Sequence, residues 1–186
     1  RNPGNIEQPI GPPYVQIAAR DVTALGGVVV LGFLTLVVGI FLMLSKRVRM
    51  ALFVWGAVAS GAALSTALKA LFDRPRPELF PHGTVAYYAS FPSGHAMLSA
   101  VTYLTLGALL AKSQRRRRIK VFVMAVAIFV TVAVGLSRVY LGVHWPTDVL
   151  AGWTAGAVWA IVCWEAADWL QRRRRLQDDG GPPLES

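Results

Sequence analysis

The stretch Gly135–Gly152, GLSRVYLGVHWPTDVLAG, sets Ser137-Arg138 ahead of His144, six residues beyond the arginine, and Asp148, four residues beyond the histidine. Arg138, His144 and Asp148 all fall where one apolar segment stops and the next begins. An ionised side chain at the centre of a bilayer helix costs roughly 2.5–3.5 kcal/mol. Charge and imidazole at such a junction are therefore expected to be used. A turn across Trp145-Pro146-Thr147 brings the Asp148 carboxylate to one ring nitrogen of His144. That contact would fix the tautomer and leave the other nitrogen free to attack.

Outward from this junction the chain is apolar. Of 186 residues, 54% are hydrophobic and only 16% charged, and the mean hydropathy is +0.47. A soluble domain of this size is excluded, and one all-α, polytopic transmembrane bundle is implied. Five apolar segments run at 22–45, 50–72, 94–111, 119–138 and 148–170. In lipid they must be helices, since no other open segment satisfies its own backbone. Residues 1–21 form a polar, proline-rich N-terminal segment, 22–170 the transmembrane core, and 171–186 a basic tail expected to be disordered.

The net charge of +9 would suggest nucleic acid in a soluble protein. Here the cations cluster between apolar runs: Lys46, Arg47 and Arg49; Lys112, Arg115–Arg118 and Lys120; Arg172–Arg175. Alternating spans put all three clusters on one side, which the positive-inside rule assigns to the cytoplasm. No nucleic-acid partner is expected. Residues 1–21, 73–92 and 139–147 then face outside, and a further span upstream of Arg1 is expected to return the N-terminus inside. The single cysteine, Cys163, lies in an apolar segment and reads as a packed thiol. Small residues at four-residue spacing, Gly56/Ser60 and Gly152/Gly156, suit close helix packing in lipid.

Two more constellations fall on the outer side. KALFDRPRP sets Lys69, Arg74 and Arg76 within eight residues, with Pro75 and Pro77 holding an extended basic rim. Phe91-Pro92-Ser93-Gly94-His95 then opens a helix: Ser93 is an N-cap, Gly94 lets a ligand approach the backbone, and the first-turn N–H groups suit an anion. His95 in that turn is placed to donate a proton to a leaving group. His82 reads as solvated, and Tyr87 and Tyr88 as interface anchors. Cations, a helix N-terminus and two histidines fit phosphoryl transfer, with Lys69, Arg76 and Arg138 supplying charge that other phosphatases take from metals. The scattered Asp73, Glu78 and Asp148 do not resemble a two-metal site, so no metal or other cofactor is expected.

Lys69-x6-Arg76-Pro77, Pro92-Ser93-Gly94-His95 and Ser137-Arg138-x5-His144-x3-Asp148 resemble, in order and spacing, the three-part signature of the type 2 phosphatidic acid phosphatase (lipid phosphate phosphatase) superfamily. The resemblance implies a six-helix membrane core, with its first helix absent from these residues. It implies metal-independent phosphate hydrolysis through a phosphohistidine. His144 would be the nucleophile, Asp148 its orienter and His95 the general acid, while Lys69, Arg76, Ser93, Gly94 and Arg138 hold the phosphate. Vanadate-dependent haloperoxidases share the motifs but are soluble, against five apolar spans here. A non-catalytic lipid-binding descendant would have lost a histidine or Asp148, and all are present. The substrate is expected to be a membrane lipid phosphate or diphosphate: undecaprenyl diphosphate, phosphatidylglycerol phosphate, phosphatidate or a lipid A phosphate. The expected location is the inner (plasma) membrane, with the site facing the periplasm or exterior.

Overall fold

The apolar runs become six helices among the described residues: α1 (Pro13–Ala24), α2 (Val28–Leu44), α3 (Val48–Leu71), α4 (Gly94–Ser113), α5 (Arg117–Tyr140) and α6 (Pro146–Asp179). The computed structural model describes residues 11–72, 74, 75, 77 and 89–179, with 174–179 as backbone only. Helices α3, α4, α5 and α6 are each long and apolar enough to cross a membrane. Helices α1 and α2 meet at a 45° bend and pass the same test only when taken together, as a broken span or a re-entrant pair.

That break corrects the continuous 22–45 segment. Gly26 and Gly27 part the two helices, and a Cβ on Gly26 would lie 3.3 Å from the His95 carbonyl. The bend is thus pressed onto the first turn of α4. Pro12 and Pro13, in the proline-rich N-terminal segment, start α1: proline at the first helical position has no donor to lose. At the other end α6 runs past residue 170 to Asp179, and Arg172 pairs with Asp168 one turn back at 2.7 Å.

The packing is that of a membrane protein. Large apolar side chains such as Val29, Phe33, Leu44 and Phe129 point outward. The interior is built from Ala51, Ala57, Ala96 and Ala100 with Ser65, Ser99, Thr102 and Thr131. Small residues allow close approach where lipid offers no hydrophobic drive between helices. Hydroxyls bond back to their own helix, as Thr35 does to the Leu31 carbonyl (2.6 Å) and Thr131 to Ala127 (2.8 Å).

Helix α4 is the axis of the bundle. Half of its most apolar stretch is buried, against 28% or less for the other long helices. Helix α6 lies on it through the expected pair: Cβ atoms on Gly152 and Gly156 would come 2.8 Å from the Ser93 carbonyl and 2.5 Å from that of Met97. The Gly56/Ser60 pair behaves differently. Nothing lies within 4 Å of a Cβ on Gly56; Gly61 instead takes the close approach, against Val101 and Trp159, while Ser60 accepts from the Trp159 indole (3.1 Å).

Alternation gathers the α2–α3 and α4–α5 junctions and the C-terminal end of α6, with their basic clusters, at one end. The α3–α4 and α5–α6 junctions lie at the other, and they carry the candidate site.

Candidate active site

Helix α6 explains the position of Asp148. Pro146 is its first residue, Trp145 precedes it, and Asp148 stands in the first turn. One carboxylate oxygen, Oδ2, accepts the Trp145 backbone N–H at 3.0 Å, the backward half of a capping box. A carboxylate there is also favoured by the helix dipole. The His144-x3-Asp148 spacing therefore puts the histidine just outside the helix and the acid just inside it. His144 Nδ1 lies 3.6 Å from Asp148 Oδ2. Both side chains are buried, Asp148 completely.

Two residues beyond the expected set complete this arrangement. The Ser90 hydroxyl, fully buried, donates to Asp148 Oδ2 at 2.5 Å and stands 3.4 Å from His144 Nδ1. Arg74 Nη1 donates to Asp148 Oδ1 at 2.8 Å and to Thr147 Oγ1 at 2.8 Å. Its guanidinium lies 5.7 Å from the centre of the Trp145 ring. Arg74, read from sequence as one cation of a basic rim, faces the carboxylate instead. Ser90 carried no sequence signal, since it lies outside every motif.

Three of the phosphate-holding candidates, Lys69, Ser93 and Gly94, meet at the start of α4. Ser93 caps that helix, its hydroxyl accepting the Ala96 N–H at 3.5 Å. Its own N–H donates to the Asp148 carbonyl at 3.0 Å, joining the first turns of α4 and α6. Lys69, in the last turn of α3, reaches across: a Cβ on Gly94 would meet its Nζ at 3.2 Å. The absent side chain at position 94 is what lets the ammonium approach the helix N-terminus. His95 follows, half-buried in the same turn.

Arg138 lies in the last turn of α5, where a cation complements the helix dipole. Its Nη1 donates to Thr23 Oγ1 of α1 at 3.2 Å. The chain then turns through Gly142, whose φ of +74° is a left-handed conformation suited to glycine, and delivers His144. Arg76 lies outside the described residues, as do His82, Tyr87 and Tyr88. Among the described residues no three His, Cys, Asp or Glu side chains gather as a metal site.

Beside the site, Phe72 packs edge-on to Phe91 with ring centres 5.0 Å apart. The Trp145 indole donates to the Pro75 carbonyl at 3.3 Å. A cavity of about 460 Å³ opens between α2, α3 and α4, lined by Val28, Leu31, Trp55, Ala62 and Leu98 among others. Leu98 is one turn beyond His95.

Comparison with known proteins gives the family and the fold. The PAP2 superfamily model matches residues 50–172. The chain is 32% identical over 145 residues to phosphatidylglycerophosphatase B of Bacillus subtilis, covering 77% of this chain and 71% of that one. It is 41% identical over 68 residues to an undecaprenyl-diphosphatase of Sulfolobus acidocaldarius, covering 37% and 29%. The crystal structure of a transmembrane PAP2-type phosphatidylglycerolphosphate phosphatase from B. subtilis superimposes with a TM-score of 0.79 at 29% identity, over 86% of this chain and 79% of that one. The chain belongs to the PAP2 superfamily and is a multi-pass membrane phosphatase of that family.

Proposed function

We propose that this protein hydrolyses membrane lipid phosphates or diphosphates through a phosphohistidine on His144, without a metal. The observation that carries the reading is the buried Ser90–Asp148–His144 cluster beside the capped start of α4. In the proposed reaction the phosphate lies between that helix end, Lys69, Arg76 and Arg138. His144 attacks phosphorus in line, a P–N bond forms, the P–O bond to the lipid breaks, and His95 gives its proton to the leaving oxygen. Water then attacks the phosphohistidine, returning the proton to His95 and releasing phosphate and free His144. Positive charge on the equatorial oxygens stabilises both transition states.

The aromatic residues at the site and the apolar cavity next to His95 favour a lipid over a soluble phosphate. A head group can enter sideways while its chains stay in the bilayer. The relatives' names include phosphatidylglycerophosphatase and undecaprenyl-diphosphatase, which makes those two lipids the first substrates to test. Basic clusters at the opposite end of the bundle support a site on the periplasmic or outer face of the plasma membrane.

Purified protein in mixed micelles, offered phosphatidylglycerol phosphate, undecaprenyl diphosphate, phosphatidate and glycerol phosphate at matched surface or bulk concentration, tests this. Release of phosphate from at least one lipid, undiminished by EDTA and far faster than from glycerol phosphate, is expected. Loss of activity on chelation with recovery on Mg²⁺, or equal turnover of glycerol phosphate, contradicts it. In spheroplasts of a Cys163→Ala background, Ser113→Cys is expected to resist an impermeant thiol reagent until the membrane is opened. Labelling in intact spheroplasts reverses the orientation.

A further inference from the structure

The sequence places Arg74 between Lys69 and Arg76, where a third cation reads most simply as another phosphate ligand. Its contacts give it a different role. We propose that Arg74 and Ser90 are positioning residues that act on His144 through Asp148, and that Arg74 does not hold the substrate phosphate. The inference rests on the proposed phosphohistidine reaction and adds two residues to it.

Arg74 ties three segments together. Its guanidinium bonds Asp148 Oδ1 and Thr147 Oγ1 in the first turn of α6, both at 2.8 Å. Its backbone carbonyl accepts the Ser90 N–H at 2.8 Å, on the approach to α4. The residue itself leaves the end of α3. A fully buried carboxylate needs such a partner, because removing one half of a buried ion pair leaves an uncompensated charge. With both hydrogens of Nη1 committed to α6, the guanidinium is tied to the acid.

Ser90 acts on the ring. An ionised carboxylate only accepts, so the Ser90 hydroxyl hydrogen goes to Asp148 Oδ2 at 2.5 Å. Its oxygen then presents lone pairs to His144 Nδ1, 3.4 Å away and nearer than the carboxylate oxygen at 3.6 Å. Both oxygens facing Nδ1 are acceptors, so Nδ1 carries the hydrogen. Nε2 is left with the lone pair that attack on phosphorus requires. The histidine is thus oriented by a serine–aspartate pair, with Arg74 fixing the far oxygen of that aspartate.

The test is a double-mutant cycle read in kcat, KM and the inhibition constant of inorganic phosphate, using the lipid phosphate that the micelle panel turns over fastest. Arg74→Gln and Ser90→Ala are each expected to lower kcat about 10–100-fold, the range for partners that orient a reacting group from behind. KM and inhibition by inorganic phosphate, which reads the phosphate site without the attacking nitrogen, should stay near wild type. Arg74→Gln/Asp148→Asn should be no slower than Asp148→Asn alone, since Arg74 works through that carboxylate. Arg74→Lys, which keeps one donor, should recover part of the rate. If Arg74→Gln does not fold, as judged by its melting temperature, Arg74→Lys and Ser90→Ala run the same cycle. Tenfold weaker inhibition by inorganic phosphate in an Arg74 variant, or losses that multiply in the double variant, would overturn the inference and make Arg74 a phosphate ligand. A wild-type protein that releases no phosphate from any lipid would instead overturn the underlying phosphatase reading.

Discussion

His144 and His95 are chemically alike, and their surroundings separate them. His144 is buried against a serine and a carboxylate. His95 is half-buried in the first turn of α4, next to Gly94 and the Lys69 ammonium. The first environment suits a nucleophile held in one tautomer, the second a residue that exchanges protons with a bound group. His95→Ala is therefore expected to lower kcat about 10²–10⁴-fold on an alkyl phosphate, the usual worth of general acid–base help. The loss should shrink sharply on an aryl phosphate such as p-nitrophenyl phosphate, whose leaving group departs without a proton. An equal loss on both substrates would show that His95 is not the acid. The spacing of Arg138, His144 and Asp148 was readable because turn chemistry is local: proline at the first position of α6 and an acid in its first turn fix where the histidine lies. Ser90 was not readable. A serine joins this cluster only through the meeting of α4 and α6, which no local pattern encodes.

At the scale of helices, the active site depends on how closely α6 lies on α4. The Ser93 N–H bonds the Asp148 carbonyl, and Gly152, one turn further along α6, faces the Ser93 carbonyl and the Met97 N–H. Gly152→Ala would place a methyl group 2.8 Å from the Ser93 carbonyl oxygen, which rigid backbone cannot yield to. Overpacking of this kind costs about 1–3 kcal/mol, and it moves Asp148 away from Ser93 as well. Gly56→Ala, with nothing within 4 Å, should be neutral or stabilise by about 0.4–1 kcal/mol. Melting temperature and turnover measured on both variants check this; equal behaviour would show that the α4–α6 contact is not tight. The sequence carried the glycine pair on α6 but could not tell it from Gly56/Ser60, because four-residue spacing says which face is small and not which face is covered. The break at Gly26-Gly27 was missed for a similar reason. Two glycines in an apolar run are tolerated in lipid, and only their contact with the first turn of α4 makes them a bend.

At the scale of the molecule, the span count follows from hydropathy, and the two ends of the bundle differ in purpose. One end collects the basic clusters. The other collects the starts of α4 and α6 and the ends of α3 and α5, where backbone dipoles and side-chain charge suit a phosphate. Placing the site at helix ends keeps charged residues out of the bilayer centre, where they are costly. The proposed reaction turns on one atom, the Nε2 of His144. Rapid quenching of the enzyme in alkali after mixing with ³²P-labelled lipid phosphate, followed by peptide mapping, examines that atom directly. Acid-labile, alkali-stable label on the peptide carrying His144, absent in His144→Ala, is the expected result. Label on His95, or turnover by His144→Ala at the wild-type rate, would contradict the account.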